Sequence, residues 1–420
     1  MSKSLILLFV IIYTVLNFAH SEDKNFTQLI RKSLELDPDY AEIKAIHEVQ
    51  RVKEMAATSK LFLPALNFQY SFNKDQKEST NFSEYKYSAI ELSYPITNFG
   101  ADYLYFKSQK DYNLSSKMDL IIKEIELEKI IMDLFFQIIN IQNEIEIEKE
   151  VVSLKENSLK ISEKKFSNGT LSKDDLLKVQ IDLYNAQSEL IQKESLYQKQ
   201  LVGLSYYKVS PTKLKSYPWS NQIKKNGISK IINLEKNEDI YFKFAQFQLD
   251  GINNEISSQK RRQYGEISFK YSRNFMDNYS DEDYGWSTSL VYTLPIFTHF
   301  SELTTIKQLH SLKVKNNLLQ ERYKSDYQSK QKYSLENLKL SYKDFIIREK
   351  TYTATKSLFN SILKQFKKGS LSVNDLLSEQ NRFATTKKVT IQANYNLHMA
   401  VMNYLHSKNY SVNSALPLIW

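Results

Sequence analysis

The chain changes hydrophobic period several times, and in the same order in each half. Leu66, Phe68, Tyr70 and Phe72 alternate with Asn67, Gln69 and Ser71, the two-residue period of a strand with one oily and one polar face. A polar loop over 73–84 follows, and the return strand sets Ile90, Leu92, Tyr94 and Ile96 against Ala89, Glu91 and Ser93. This pattern predicts a β-hairpin over 65–96. A second hairpin over 266–296 is predicted from Ile267, Phe269, Tyr271 and Phe275, which alternate with Ser268, Lys270 and Ser272. Its return strand alternates Trp286, Thr288, Leu290, Tyr292 and Leu294 with Ser287, Ser289 and Thr293, and 274–285 is the loop.

Helical stretches precede both hairpins, over 25–60 and 237–262, and much longer ones follow. Gly and Pro are absent between Gly100 and Phe166, where Leu127, Ile131, Leu134, Ile138, Ile141 and Ile145 step by four and three, the spacing of a coiled-coil seam. The second half repeats the pattern with Leu335, Leu338, Tyr342 and Phe345, then Phe359, Ile362 and Phe366. At 1.5 Å per residue such a helix is about 100 Å long. Its surface is too charged for lipid, so it stands in water and its seam packs on partner helices.

Each long helix ends in the same way. Phe166-Ser-Asn-Gly169-Thr-Leu171-Ser172-Lys-Asp174-Asp175 offers a glycine able to take positive φ at a helix end, then Ser172 as N-cap with Asp175 three residues on. Phe366, Gly369, Leu371, Ser372, Asn374 and Asp375 repeat the motif, each 366 − 166 = 200 positions later. Pro95-Ile96 recurs as Pro295-Ile296 at that offset, and Leu34, Glu35 and Asp39 as Leu234, Glu235 and Asp239. One constant register across both halves implies an internal duplication and pseudo-symmetry. The expected organisation is a first repeat over 22–210, with a long helix over 101–166 and a tip turn over 167–173, and a linker over 211–236. A second repeat over 237–408, with a long helix over 301–366 and a tip turn over 367–373, leads to a tail over 409–420.

Composition sharpens this picture. Only 8 Gly and 7 Pro in 420 residues suit a few very long elements. Cysteine is absent, which excludes disulfides, thiolate metal sites, a Cys nucleophile and a lipid-carrying Cys. Lys3, the apolar run over 5–18 and Ala19-His20-Ser21 read as a signal peptide over 1–21; a membrane anchor would need a longer span. The net charge of +9 comes from Lys interleaved with Glu, as in Lys123-Glu124-Ile125-Glu126, the pattern of solvated helix faces rather than of a nucleic-acid surface. The six His residues show no metal-ligand spacing and no Gly-rich phosphate loop exists, so no catalytic, cofactor-binding or metal residue is nominated and the chain is read as not an enzyme.

The return strands have the length and aromatic ends of tilted membrane-spanning strands, although a soluble sheet covered on one face alternates in the same way. Four strands do not close a barrel, since the smallest need about eight, and an open edge in lipid leaves backbone groups unpaired. Strands of this kind in a membrane therefore require several chains to share one barrel.

Taken in order, these residues resemble the TolC-like outer-membrane factors, or outer membrane efflux proteins, the exit ducts of bacterial efflux pumps and type I secretion systems. The resemblance spans about 25–408 and is carried by Leu34-Glu-Leu-Asp37-Pro38-Asp39, Leu63-Pro64-Ala65-Leu66, Tyr94-Pro95-Ile96, Leu294-Pro295-Ile296 and the doubled tips. It implies a mainly α fold with a small β part. Long helical hairpins would form a periplasmic α-barrel, and four strands per chain would contribute to a twelve-strand barrel shared by a homotrimer in outer-membrane lipid. The implied partners are a periplasmic adaptor and an inner-membrane pump of ABC, RND or MFS type; no cofactor is implied.

Carried over residue by residue, the resemblance makes Asp175 and Asp375, with Asp174 and Asn374 beside them, a cation-selective periplasmic aperture. Phe166, Gly169, Leu171, Ser172, Phe366, Gly369, Leu371 and Ser372 become the tip turns where an adaptor docks, and Pro64, Pro95 and Pro295 the barrel-to-helix junctions. The chain departs from the family in two places. Leu371 stands where some members carry an arginine that locks the closed tip, and Tyr264-Gly265 stands where the first half has Leu63-Pro64. The competing assignment is a soluble periplasmic coiled-coil adaptor or scaffold, which shares the hairpins and the leader but not two matched amphipathic strand pairs.

Overall fold

The two Gly- and Pro-free stretches form the longest elements of the fold, as their periodicity requires. The computed structural model describes residues 30–76, 82–205, 217, 219–220, 223, 226–234, 239–277, 285–296, 301–368 and 370–411. The expected signal peptide, most of the linker, Gly369 and the tail beyond 411 lie outside them. Residues 30–36 are helical, and after a break at Asp37 the order is α1 (Pro38–Phe62), β1 (Ala65–Gln76), β2 (Phe82–Thr97), α2 (Ala101–Ser167) and α3 (Lys173–Ser205). One short turn, Ser229–Ile232, precedes α4 (Ile240–Arg262), β3 (Glu266–Asp277), β4 (Trp286–Thr293), α5 (Ser301–Lys367) and α6 (Val373–Ser407). The fold is mostly helical with one small antiparallel sheet. No described helix is long and apolar enough to cross a membrane, which says nothing of a span made of strands.

The chain divides into two units. The one built from 42–122 and 240–325 holds the sheet, whose order is β1-β2-β3-β4 with every pair antiparallel. Its registers put Phe68, Ile90, Arg273 and Trp286 in one row, and Leu66, Leu92, Tyr271 and Thr288 in the next. Because side chains alternate, these rows share one face, and Gln69, Ser93, Lys270 and Ser289 lie on the other. The first hairpin loop is shorter than the polar composition of 73–84 predicts, whereas the β3–β4 ladder ends at Arg273 and Trp286, where the sequence sets the loop over 274–285. β1–β2 pairing runs out to Gln76 and Phe82, and β3 continues to Asp277 against β2 rather than β4, because backbone pairing does not depend on the polarity of the side chains it carries.

Tight joins connect strands to helices here. Phe99 and Gly100 both take positive φ, 58° and 81°, and Asn98 accepts the Asp102 amide at 3.1 Å to start α2. Gly265 has φ of 85°, and a Cβ there would press into the Thr293 carbonyl oxygen. The change from Pro64 to Gly265 is thus a change of geometry, since the close pass of β4 leaves no room for a side chain. Ile252, Ile256 and Leu309 form the small core, and Tyr112 reaches it by lying against Gly251 and donating to Glu255 at 2.7 Å.

The other unit, described over 30–41, 123–205, parts of 217–234, Asp239, 326–368 and 370–411, contains the main core. α2 buries Ile131, Ile138 and Ile141 as its seam predicts, but Met132, Phe135, Phe136 and Ile139 are fully buried too. The apolar stripe is therefore wider than a two-helix seam, because α2 has neighbours on more than one side. Phe136 meets Tyr217 and Trp219 edge-on at 5.3 and 5.8 Å, and His398 of α6 stacks on Tyr217 at 4.2 Å. His398 Nδ1 donates to the Asn394 carbonyl, leaving Nε2 to accept from Ser220 Oγ at 3.2 Å. Burial of each such aromatic contributes about 2–3 kcal/mol, so the described part of the linker is fastened to α2 and α6 by packing.

Candidate functional site: the hairpin tips and the strand wall

Both tips reverse by the same backbone device. At the first, Gly169 has φ of 75° and the Thr170 amide donates to the Lys165 carbonyl at 2.9 Å; at the second, the Ser370 amide donates to the Gln365 carbonyl at 3.1 Å. These six-to-one bonds close the ends of α2 and α5 and satisfy carbonyls that the helices leave unpaired. Gly369 itself lies outside the described residues.

The return helices start differently. Ser372 accepts the Asp375 amide at 3.2 Å while its own amide and hydroxyl donate to Asp375 Oδ2 at 3.3 and 2.6 Å, a complete capping box. Ser172 accepts the Asp175 amide at 3.1 Å, but the Asp175 carboxylate turns to Lys178 at 3.0 Å. Hydrogen bonds from Lys178 and Ser172 hold the Asp175 carboxyl below its usual range. Position 378 is a serine, so Asp375 has no equivalent lysine. Asp174 and Asn374 are exposed beside them. Among the described residues, no hydrogen bond or ion pair links the acids of one tip to those of the other.

What joins the tips is apolar. Phe366, Val373, Leu376 and Val179 are buried together, with Leu171 and Leu371 packed against them. Phe366 is 1% exposed whereas its repeat-mate Phe166 is 42% exposed, so the pseudo-symmetry of the motif is broken in space. Lys165, on the first tip, donates to the Phe366 carbonyl at 2.8 Å.

Away from the tips, polar side chains cross between the repeats inside the bundle. Gln380 donates to Ser158 Oγ at 2.6 Å, and Lys155, paired with Asp182 of its own repeat at 2.8 Å, reaches across to Asn381 at 3.2 Å. Lys388 bridges the buried Glu148 at 2.8 Å and Glu189 at 2.7 Å, and Lys387 pairs with Glu150. Burial alone would pull Lys388 down, but its hydrogen bonds to Glu148 and Glu189 outweigh that and raise it.

Sequence reasoning did not single out Lys165, Lys155 or Lys388, because a lysine on a long helix looks like every other solvated lysine until its neighbours are known. Nor did it single out Glu91 and Lys270, whose side chains meet at 3.4 Å on the polar face of the sheet. Their signal was available: two opposite charges on strand faces otherwise lined by Ser, Asn and Gln. The junction positions separate as well. Pro64 follows the end of α1, whereas Pro95 sits inside β2, opposite Ser268 at a register shift that runs to Thr97, and Pro295 lies just past β4. Among the described residues, no group of His, Asp and Glu is arranged to hold a metal ion.

Comparison with known proteins agrees with this architecture. Residues 29–207 match the family model described as outer membrane efflux protein. The fold is similar to that of the outer membrane protein VceC from Vibrio cholerae, with a TM-score of 0.76 at 9% identity over 92% of this chain and 96% of that one. It is similar to the CmeC outer membrane channel of Campylobacter jejuni, with a TM-score of 0.75 at 13% identity over 93% and 86%. It also resembles CusC, solved in connection with transmembrane channel formation, with a TM-score of 0.74 at 12% identity over 91% of each chain. No curated protein sequence matches the chain. The first repeat thus matches this family model by sequence, and nearly the whole chain shares the fold of these solved proteins.

Proposed function

We propose that this chain is one protomer of a trimeric outer-membrane exit duct, a passive conduit gated at its hairpin tips and serving an efflux pump or a type I secretion system. The carrying observation is the sheet. One face is apolar through Leu66, Phe68, Ile90, Leu92, Phe269 and Leu290 with Arg273 toward its loop end, the opposite face is mainly polar, and β1 and β4 are the edges of the described sheet. An unpaired backbone group in lipid costs several kcal/mol, so such a sheet is stable in a membrane only when the β4 edge of one copy pairs with the β1 edge of the next.

The helices next to those edges support the same closure. α1, which leads into β1, carries Ile46, Val49, Val52 and Met55 more than half exposed. α5, which follows β4, exposes Leu303, Val314 and Leu318. A groove of about 470 Å³ lies along the α1 stripe, lined by Ile46, Val49, Tyr112 and Phe244. Apolar stripes at both ends of a strand order are what a ring of copies covers. Three copies follow the resemblance to outer-membrane factors and supply twelve strands.

In this reading residues 1–21 are a leader that directs export, and the repeats 22–210 and 237–408 extend from the outer membrane into the periplasm. Asp174, Asp175, Asn374 and Asp375 ring the entrance and concentrate cations. The exposed Phe166 and the half-buried Leu171 and Leu371 meet a periplasmic adaptor, and an inner-membrane pump supplies the energy. The experiment is single-channel recording of the purified mature chain in planar bilayers beside a variant carrying Asp174→Asn, Asp175→Asn and Asp375→Asn. Small cation-selective events that lose selectivity in the variant support the duct; failure of folded, helical protein to insert overturns it in favour of a soluble scaffold.

A further inference from the structure

On the polar face of the sheet the described ionisable side chains are Glu91, Lys270 and, at the first residue of β3, Glu266. Glu266 sits at the helix-side rim. Glu91 and Lys270 lie further in, on neighbouring strands, each facing a serine in register: Glu91 opposite Ser272 and Lys270 opposite Ser93. They meet diagonally, Lys270 Nζ to Glu91 Oε1, at 3.4 Å. Around them the wall is Asn67, Gln69, Ser71, Ser287 and Ser289, none of which carries charge.

The pair is not a core device. The Lys270 side chain is 41% exposed and the Glu91 side chain 31%, so both charges face water, and an exposed pair of this kind adds little to stability. Two charged residues could be replaced by two more hydroxyls on such a wall without loss of packing. What distinguishes a paired Glu and Lys from hydroxyls is only what each becomes without the other.

We infer that the Glu91–Lys270 pair is a selectivity-determining element of the strand-built duct, holding its middle wall neutral to passing ions while the hairpin tips alone discriminate by charge. This rests on the shared-barrel reading above. In a closed ring each copy contributes one pair at the same height, so removing one partner from every copy leaves a ring of like charge set in a low-dielectric wall, which draws counter-ions into the lumen. Removing both restores neutrality. The cargo class that such a wall admits without preference includes both anionic and cationic solutes.

The test is the ratio of K⁺ to Cl⁻ permeability of the full mature chain in planar bilayers at low ionic strength, where screening is weakest. Three variants are compared with the wild type: Lys270→Gln, Glu91→Gln and the double replacement. The expected result is a ratio raised about twofold or more by Lys270→Gln, lowered by a similar factor by Glu91→Gln, and returned to the wild-type value in the double variant. A merely structural pair would move both single variants in the same direction, or only reduce insertion. Retained conductance with an unchanged ratio in both single variants overturns the inference and leaves the duct standing. If the folded wild type itself does not conduct, the duct and the inference fail together.

Discussion

Lys165 and Phe366 meet twice: the Lys165 ammonium donates to the Phe366 carbonyl at 2.8 Å and lies 3.8 Å from the centroid of the Phe366 ring. One residue belongs to the end of α2 and the other to the end of α5, so a single side chain of the first tip grips the second. Partial burial pulls this lysine below its ordinary range, while the contact with the ring favours the ammonium form. Leu371 is packed into the apolar cluster under the same phenylalanine.

Lys165→Met keeps the stem and removes both polar contacts, each worth about 1 kcal/mol. Hydrogen exchange of the amides around Phe366 and Val373 is expected to accelerate by roughly tenfold, with distant parts of α5 unaffected. Unchanged exchange would mean that the apolar cluster alone holds the tips together.

The two caps predict an asymmetry. Ser372 takes part in a reciprocal box with Asp375, whereas at the first tip Ser172 accepts the Asp175 amide and the Asp175 carboxylate is shared with Lys178. Ser372→Ala is expected to destabilise the start of α6 by about 1 kcal/mol, and Ser172→Ala to cost less at α3. Local exchange at Asp375 and Asp175 reads the difference, and equal effects would contradict it.

Gly265→Ala is expected to be the more damaging of two alanine changes at the strand joins. Its φ is positive and an added methyl group would collide with the Thr293 carbonyl oxygen, so both the backbone and β4 must shift. A loss of about 1–3 kcal/mol is expected, against little for Pro64→Ala. Thermal denaturation of the two variants makes the comparison, and equal melting would contradict it.

His406 gives the pH dependence of the bundle. It is half-buried, its Nε2 is shut off from water without a hydrogen-bond partner, and desolvation, aided by Lys129, lowers its pKa from 6.5 to about 3. The folded pKa is depressed, so the unfolded chain binds this proton more tightly. Stability from keeping His406 neutral is complete above pH 6.5 and falls by about 1.4 kcal/mol per unit as the pH drops toward 3. Over that window the wild type is expected to lose stability relative to a His406→Phe variant, as read by denaturation of both; parallel curves would show that other groups carry the acid sensitivity.

Much of this was legible in the sequence for physical reasons. Strand alternation around Phe68 and Leu290, the Gly-free run before Phe166 and the doubled turns are local signals, and local signals survive in a single sequence. The complete box at Asp375 was visible as Ser372 with an acid three residues on. The polar contacts between helices were not, because Lys155 and Asn381, or Lys165 and Phe366, are brought together only when helices of different repeats pack. Phe166 and Phe366 look identical in the motif, and only packing decides that one is exposed and the other buried. The first hairpin loop was misjudged at Asn73 because polar residues extend a ladder as well as apolar ones once their backbones are paired.

The proposed duct depends above all on the edges β1 and β4 meeting between copies and closing a ring of three. The chain has no cysteine, so Gln69→Cys in β1 can be combined in turn with Ser287→Cys or Ser289→Cys in β4, and the protein oxidised in membranes. Covalent dimers and trimers are expected for at least one pair, with the ladder ending at three chains. A ladder that continues past three, or protein that remains uncross-linked with every pair while folded in the membrane, would contradict it.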